Sequence, residues 1–283
     1  MIRLLGTGDE AALETFLTQH ADSSMFLRSN ARAAGLEYHG QTLEADYVAA
    51  FVGYRIVAVA AHCWNGMVLV QAPEQVDAVA RAAVERSGRA VTGISGPAGQ
   101  VAAARTALGL DDRPTPKFGR EELFALDLAD LVVPAPLTDG RWTSRPPHDD
   151  ELDLVIDWRV DFMIEALHHT AGAGLRDEAA TLMRLVHERR SHWLLLDAGR
   201  SVAYSAFNAR LPDIVQVGGV WVPVALRGRG YGRAVVAGSL LDARAQGASR
   251  AVLFAEREDA KRAYRGLGFT VVGEYGLLLF DGG

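Results

Sequence analysis

Arg227 Gly228 Arg229 Gly230 Tyr231 Gly232, running through Arg233 into the apolar residues 234–241, is the stretch that decides how this chain is read. A glycine at every second position lets the backbone turn tightly and point successive amide N–H groups inward. The residues that follow have the composition of a helix, whose first donors lack intrahelical partners. Such a loop is an anion cradle, and phosphate is its natural occupant. Residues 214–224 (IVQVGGVWVPV) are rich in β-branched side chains, so the order is strand, glycine loop, helix.

Two other phosphate motifs do not fit. A Walker A loop ends in Lys followed by Ser or Thr, where this chain has Arg233 and Ala234, and a dinucleotide fingerprint sets two residues, not one, between its second and third glycines. Downstream, residues 251–255 (AVLFA) suit a buried parallel strand, and residues 259–267 have helical composition before Gly268 stops them. Residues 227–232 resemble, at every position, the Arg/Gln-x-x-Gly-x-Gly/Ala pyrophosphate loop of the GNAT superfamily of acyl-CoA-dependent N-acyltransferases. Tyr264 Arg265 Gly266 Leu267 Gly268 Phe269 resembles that family's second signature, a helix tyrosine ahead of a Gly-Phe pair. The two motifs with their upstream elements cover residues 140–283.

The whole chain has 283 residues, of which 49% are hydrophobic, enough for one large domain or two ordinary ones. A net charge of −6 gives no global attraction to nucleic acid or to anionic membranes, so neither is an expected partner. The single cysteine, Cys63, excludes an intrachain disulfide framework and sits among apolar neighbours as a buried thiol. No leader and no apolar run near twenty residues is visible, and the expected location is cytoplasmic.

Prolines at 134, 136, 146 and 147 mark a boundary near residue 139 and predict domains of 1–138 and 139–283. The halves share an order. Gly53 Tyr54 Arg55 resembles Gly199 Arg200 Ser201, and Ala107 Leu108 Gly109 Leu110 resembles Gly266 Leu267 Gly268 Phe269; Gly53 and Gly109 are 56 residues apart, Gly199 and Gly268 69. The first copy is shorter where the second carries its glycine loop. There Gln71 Ala72 Pro73 Glu74 precede a helix over 75–86, and Glu74 and Asp77 would repel a pyrophosphate. Gly93 to Gly99 matches instead the loop before the first copy's last helix. The resemblance implies an α/β fold of α+β type with mixed sheets, two tandem GNAT-like folds, the first degenerate and the second intact.

The resemblance also implies a site. Val220, Trp221 and Val222 would end the strand that splays from its neighbour and pairs with a pantetheine arm, with Trp221 either an interior aromatic or a wall of the acceptor pocket. Backbone donors from Arg229 to Arg233 would hold the pyrophosphate of acetyl-CoA, with Arg227, Arg229 and Arg233 adding charge and Gly228, Gly230 and Gly232 allowing close approach. Tyr264 is the expected general acid for the departing thiolate, since a tyrosine pKa of about 10 matches a thiol well. Glu256 Arg257 Glu258 Asp259 stand where relatives often have an asparagine, either as a solvated charge run or with Arg257 as a replacement cofactor contact.

Asp157, Asp161 and Glu165 recur at helical spacing, and Glu165 is the preferred general base, with an ordered-water relay as the alternative. His168 and His169 follow, without the partners of a metal site, and no metal is expected. Gly172 Ala173 Gly174 suggests a mobile cover. The expected activity is acetyl-CoA-dependent N-acetylation of a primary amine, on a small molecule or peptide, by direct attack in a ternary complex. A non-catalytic acyl-CoA-binding module, another acyl donor, a hydroxyl acceptor and a homodimer stay open.

Overall fold

The computed structural model describes residues 1–115, 117–166 and 169–280. Two compact units divide it: Met1–Leu123 with the chain from Gly273 onward, and Phe124–Val272. The first half of the chain forms β1 (Ile2–Leu4), α1 (Glu10–Thr18), α2 (Met25–Ala34), β2 (Ala45–Val52), β3 (Arg55–Cys63), β4 (Met67–Gln71), α3 (Val76–Ser87), β5 (Gly93–Pro97), α4 (Ala98–Ala107) and β6 (Lys117–Asp127). The second half forms α5 (Ala135–Thr138), β7 (Trp142–Arg145), α6 (Leu152–Ala166), α7 (Ala173–Glu188), β8 (His192–Asp197), β9 (Arg200–Arg210), β10 (Ile214–Trp221), α8 (Tyr231–Ala245), β11 (Arg250–Ala255), α9 (Glu258–Arg265) and β12 (Thr270–Leu279).

In the first unit the strands run β1-β2-β3-β4-β5-β12. Neighbours are antiparallel up to β4, β4 and β5 are parallel across α3, and β12 closes antiparallel on β5 from Tyr275↔Pro97 to Leu279↔Gly93. Alternation along β2 splits its core. Tyr47, Ala49 and Phe51 pack with Leu13, Phe16 and Leu17 of α1, while Val48 and Ala50 pack with Val79, Ala80 and Ala83 of α3. Leu278 and Phe280 join that second layer, so the end of the chain completes this core.

The second unit repeats the plan. Its strands run β6-β11-β10-β9-β8-β7, antiparallel from β7 to β10 and parallel between β10 and β11 across α8. One layer joins Trp158, Met163 and Met183 of α6 and α7 to Leu194, Tyr204 and Trp221; the other joins Val235, Ala237 and Leu240 of α8 to Trp193, Leu195 and Tyr264. The order from β7 to α9 and the pairing from β7 to β11 repeat those from β1 to α4 and from β1 to β5, with the sixth strand of each unit supplied by the other half of the chain, so the chain is two tandem copies of one mixed α/β fold.

The division at Leu123 and Phe124 differs from the expected domains of 1–138 and 139–283. The proline segment belongs inside the second unit, where Leu131 is buried and Val133 and Leu137 pack on the α8 core. Proline reports a local lack of helix and sheet, and such a segment still packs wherever it presents apolar side chains. Nor is Gly93 to Pro97 a loop. It is strand β5, and a Cβ on Gly96 would come within 2.4 Å of the Val70 carbonyl oxygen, so close backbone approach explains the glycine. The segment from Gly172 runs directly into α7, with Gly172 as its extended N-cap rather than part of a loose cover. Cys63 is 1% exposed, and burial pushes its thiol up to about 12.

Candidate active site

The second unit's site begins where β10 and β11 part. Their last paired residues are Val217 and Leu253, although β10 continues to Trp221 and β11 to Ala255. Against β9 the register jumps between Gly218↔Ala206 and Trp221↔Tyr204, which places one extra residue in β10. Gly219 sits in this bulge at φ +63°, a left-handed conformation that L side chains resist. Backbone groups of the last β10 residues therefore face an opening instead of a neighbouring strand.

Beyond Pro223 a short 3-10 turn, Val224–Leu226, leads to the glycine loop. Gly228 and Gly230 adopt φ +79° and +86°, and Gly230 caps α8. The first intrahelical bond runs from Ala234 N–H to the Gly230 carbonyl at 3.0 Å, which leaves the amides of Tyr231, Gly232 and Arg233 without helical acceptors. No acidic residue lies in the first turn of α8. A Cβ built on Gly232 would lie 3.4 Å from Val222 Cγ2, so the loop folds back tightly on the strand end. This is a fit for a pyrophosphate: free donors, the positive end of a helix dipole, and no side chain in the way.

Together these elements line a cleft of about 790 Å3, with Phe162, Glu165 and Ala166 of α6 on one flank and Ala260, Ala263 and Tyr264 of α9 on the other. Its size suits a drug-sized or cofactor-sized ligand. Val220, Trp221, Val222 and all of residues 227–233 line it as well. Tyr264 is 9% exposed and its ring sits between Phe124, at 6.5 Å, and Phe269, at 6.1 Å, edge-on to both.

Several side chains take roles that composition did not show. The Tyr231 ring turns into the core against Trp142, and its hydroxyl donates to Asp197 at 2.5 Å, so it offers the cleft its backbone alone. The Trp221 ring is likewise interior, 6% exposed, edge-on to Phe162 at 6.4 Å and beneath the Arg227 guanidinium at 4.9 Å. Arg227 is fully occupied. It donates to the Val222 carbonyl at 3.0 Å and makes a two-pronged ion pair with Glu165 at 2.7 and 2.9 Å. Arg229 and Arg233 are exposed and make no ion pair among the described residues, which leaves their charge to the loop.

Glu165 is held by Arg227, with Arg257 3.5 Å away, and these cations lower its pKa, the hydrogen bond from Arg227 most of all. A carboxylate with both oxygens engaged and its proton affinity reduced is better placed to clamp α6 to the glycine loop than to take a proton. Asp157 pairs with Arg176 of α7 at 3.0 Å, and Asp161 is exposed, so the three α6 acids do not converge on the cleft. Arg257 is paired with Asp259 at 3.0 Å. His168 lies outside the described residues. His148, Asp150 and Glu151 bring ligand atoms within 4.8 Å of one another, but Glu151 is taken by Arg145 at 2.5 Å, which pulls its pKa to about 2.

A polar chain that sequence reasoning missed lies under the α6 and α7 layer. Asp149 Oδ1 meets His187 Nε2 at 3.0 Å, His187 Nδ1 meets His192 Nε2 at 3.0 Å, and His192 Nδ1 meets the Tyr204 hydroxyl at 3.3 Å. His192 is 1% exposed, and burial with the His187 charge beside it pushes its pKa down to about 4. Burial raises Tyr204 well above the ordinary tyrosine value. Four residues from α7, β8, β9 and a turn make this chain, and no local spacing announces it. Phe162 was missed too, although it lies one turn from Glu165 on α6.

Among the described residues no helix is long and apolar enough to cross a membrane. No curated protein matches the chain. Solved structures share the fold: a GCN5-related N-acetyltransferase from Sphaerobacter thermophilus at 17% identity and TM-score 0.58, covering 98% of this chain and 94% of that one. A GCN5-related N-acetyltransferase from Kribbella flavida has 17% identity and TM-score 0.57 over 99% and 97%. A tandem GNAT protein from the clavulanic acid biosynthesis pathway has 12% identity and TM-score 0.56 over 98% and 97%. Residues 152–269 match the acetyltransferase (GNAT) family model, a span that holds the parted strands, the glycine loop and Tyr264. The second unit is therefore a GNAT acetyltransferase domain, and the chain is an acyltransferase.

Proposed function

We propose that the second unit transfers an acetyl group from acetyl-CoA to a primary amine, by direct attack within a ternary complex. The observation that carries this reading is the parting of β10 from β11 after Val217 and Leu253, directly ahead of a glycine loop that opens α8. When bound, the donor supplies an acyl thioester; the protein has only to place, polarise and supply a proton. The loop amides of residues 229–233 hold the pyrophosphate, and the backbone groups of residues 218–222 on the side that β11 has left hold the arm as an added strand. The Val222 N–H, just past the last paired residue, is the donor placed to polarise the carbonyl.

Tyr264 supplies the proton that the departing sulfur takes as the carbon–nitrogen bond forms and the carbon–sulfur bond breaks, and the proton shed by the acylated nitrogen passes through solvent to restore the phenol. Its buried ring, fixed between Phe124 and Phe269, keeps the hydroxyl from wandering. Glu165 positions the glycine loop through Arg227 and does not take the amine's proton. The acceptor then reacts through its neutral fraction, having lost a proton to water. The first unit, without a glycine loop, binds no acetyl-CoA.

The test is thiol release from acetyl-CoA against a panel of primary amines. Amine-dependent release, rising with pH up to the amine's own pKa, is the expected result. Binding of acetyl-CoA with no release from any amine would leave a non-catalytic module. A plateau below pH 6 would reveal an enzyme base, and a fall in that plateau in Glu165→Gln would return Glu165 to that role.

A further inference from the structure

Arg159 lies on α6 one turn before Phe162, on the helix face that continues to Glu165 and Ala166. Its guanidinium stands over the Phe162 ring at 5.0 Å, and Phe162 in turn lines the cleft. From the other side, Arg159 Nη1 lies 3.5 Å from where a Cβ on Gly219 would be, at the β10 bulge and next to Val220 of the cleft wall. Arg159 thus stands against Phe162 and the bulge, behind that end of the cleft wall, whereas Glu165, two turns on, holds Arg227 at the glycine-loop end.

The partners of this cation are what is unusual. Among the described residues Arg159 makes no hydrogen bond and no ion pair, and its Nε is both sealed from solvent and unsatisfied. Burial lowers its pKa, while Tyr204 and Glu178 act to raise it without coming into ion-pair range. A guanidinium has five donors, and withdrawing it from water without an anion is costly. The bulge residue beside it is glycine, so Gly219 puts no side chain next to Nη1, where a Cβ would already be in van der Waals contact at 3.5 Å. A planar fork of donors at the end of an acyl-transfer cleft matches a planar carboxylate.

We propose that Arg159 binds a carboxylate of the acceptor, so that the substrate class is a small amine bearing an acidic group, such as an amino acid. This rests on the acetyltransferase reading of the same cleft. The donor approaches from the glycine loop and the acceptor from the bulge, and the carboxylate in the Arg159 fork sets the amine's direction. Polyamines and other purely cationic acceptors are selected against, because they would add charge beside an uncompensated guanidinium.

The experiment measures binding apart from turnover. Calorimetric titration uses a set of N-acetyl amino acids with small, apolar and aromatic side chains, each compared with its own carboxamide, on the wild-type chain, Arg159→Met and Arg159→Lys. At least one acid is expected to bind 10-fold or more tightly than its carboxamide, and that difference to vanish in Arg159→Met. Arg159→Lys keeps the charge without the fork and should keep only part of it. Arg159→Met should melt at the same temperature as wild type or higher, because an unpaired, half-buried charge has been removed. If no acid outbinds its carboxamide, or if the preference survives in Arg159→Met, the inference fails. Thiol release with the same free amino acids reports separately on acetyl transfer, so its loss would not be mistaken for loss of carboxylate recognition.

Discussion

The loop after β4 and the loop after β10 occupy the same place in two copies of one fold, and they differ in almost every feature that makes a phosphate site. After β10 the register jumps, four strand residues run on past the last parallel pair against two in β4, and two glycines lead to a helix that carries a third glycine and no acid in its first turn. After β4 the register against β3 runs without a shift, and Ala72, Pro73, Glu74 and Gln75 join strand to helix with Asp77 in the first turn. The first copy also satisfies itself. Gln71, 2% exposed, accepts from Ser23 at 2.7 Å and Ser24 at 3.2 Å, and the Ala72 amide donates to Gln100 Oε1 at 2.6 Å. Polar groups that face an open cleft in one copy are closed on their own side chains in the other. The same topology therefore leaves polar groups open to a cleft in one copy and satisfied within the chain in the other, which is the difference expected between a binding site and a scaffold.

Gly230→Val should have the largest effect. A β-branched residue at φ +86° cannot keep the cap of α8, and the dissociation constant for acetyl-CoA, read by calorimetry, should rise several-hundred-fold, about 3 to 4 kcal/mol. Next is acid sensitivity of the second unit. His192 has a pKa of about 4 when folded against 6.5 as a free side chain, so the unfolded state binds the extra proton between those values. Its contribution is complete above pH 6.5 and is lost as pH falls toward 4, about 3 kcal/mol in all. Amide exchange in α7 and β8 should accelerate across that window, and His192→Phe should remove the pH dependence.

Tyr264→Phe should lower kcat about 10- to 100-fold with acetyl-CoA binding unchanged, since only the proton donor is lost. Equal rates would return Tyr264 to a packing role. Glu165→Gln should raise the acetyl-CoA dissociation constant by about threefold to tenfold, because Arg227 is then free to leave the loop. The smallest effect belongs to the first copy: Glu74→Ala and Asp77→Asn should change acetyl-CoA binding less than about twofold.

Much of this was legible in the sequence because it is local. The glycine loop, the strand before it and the helix after it lie within residues 214–245, and turn glycines with a following helix declare themselves without tertiary information. The repeat could be read from the Gly53 and Gly199 turns and the Gly109 and Gly268 stops for the same reason. What stayed hidden depends on pairs distant in the chain. Arg227 and Glu165 are 62 residues apart, and the polar chain joins His187 and His192 to Asp149 and Tyr204. The division of the units falls inside β6 and β12, where continuous strand sequence gives no punctuation. Arg159 has an ordinary helical context, and its significance lies in partners it lacks.

Titration of acetyl-CoA into the intact chain, with amide exchange on the complex, separates a chain in which only the second copy binds the donor from one in which both do. One site per chain is expected, with protection from Gly218 through Arg233 and none from Gln71 through Asp77. Two sites per chain, or protection at the start of α3 in place of α8, would contradict it.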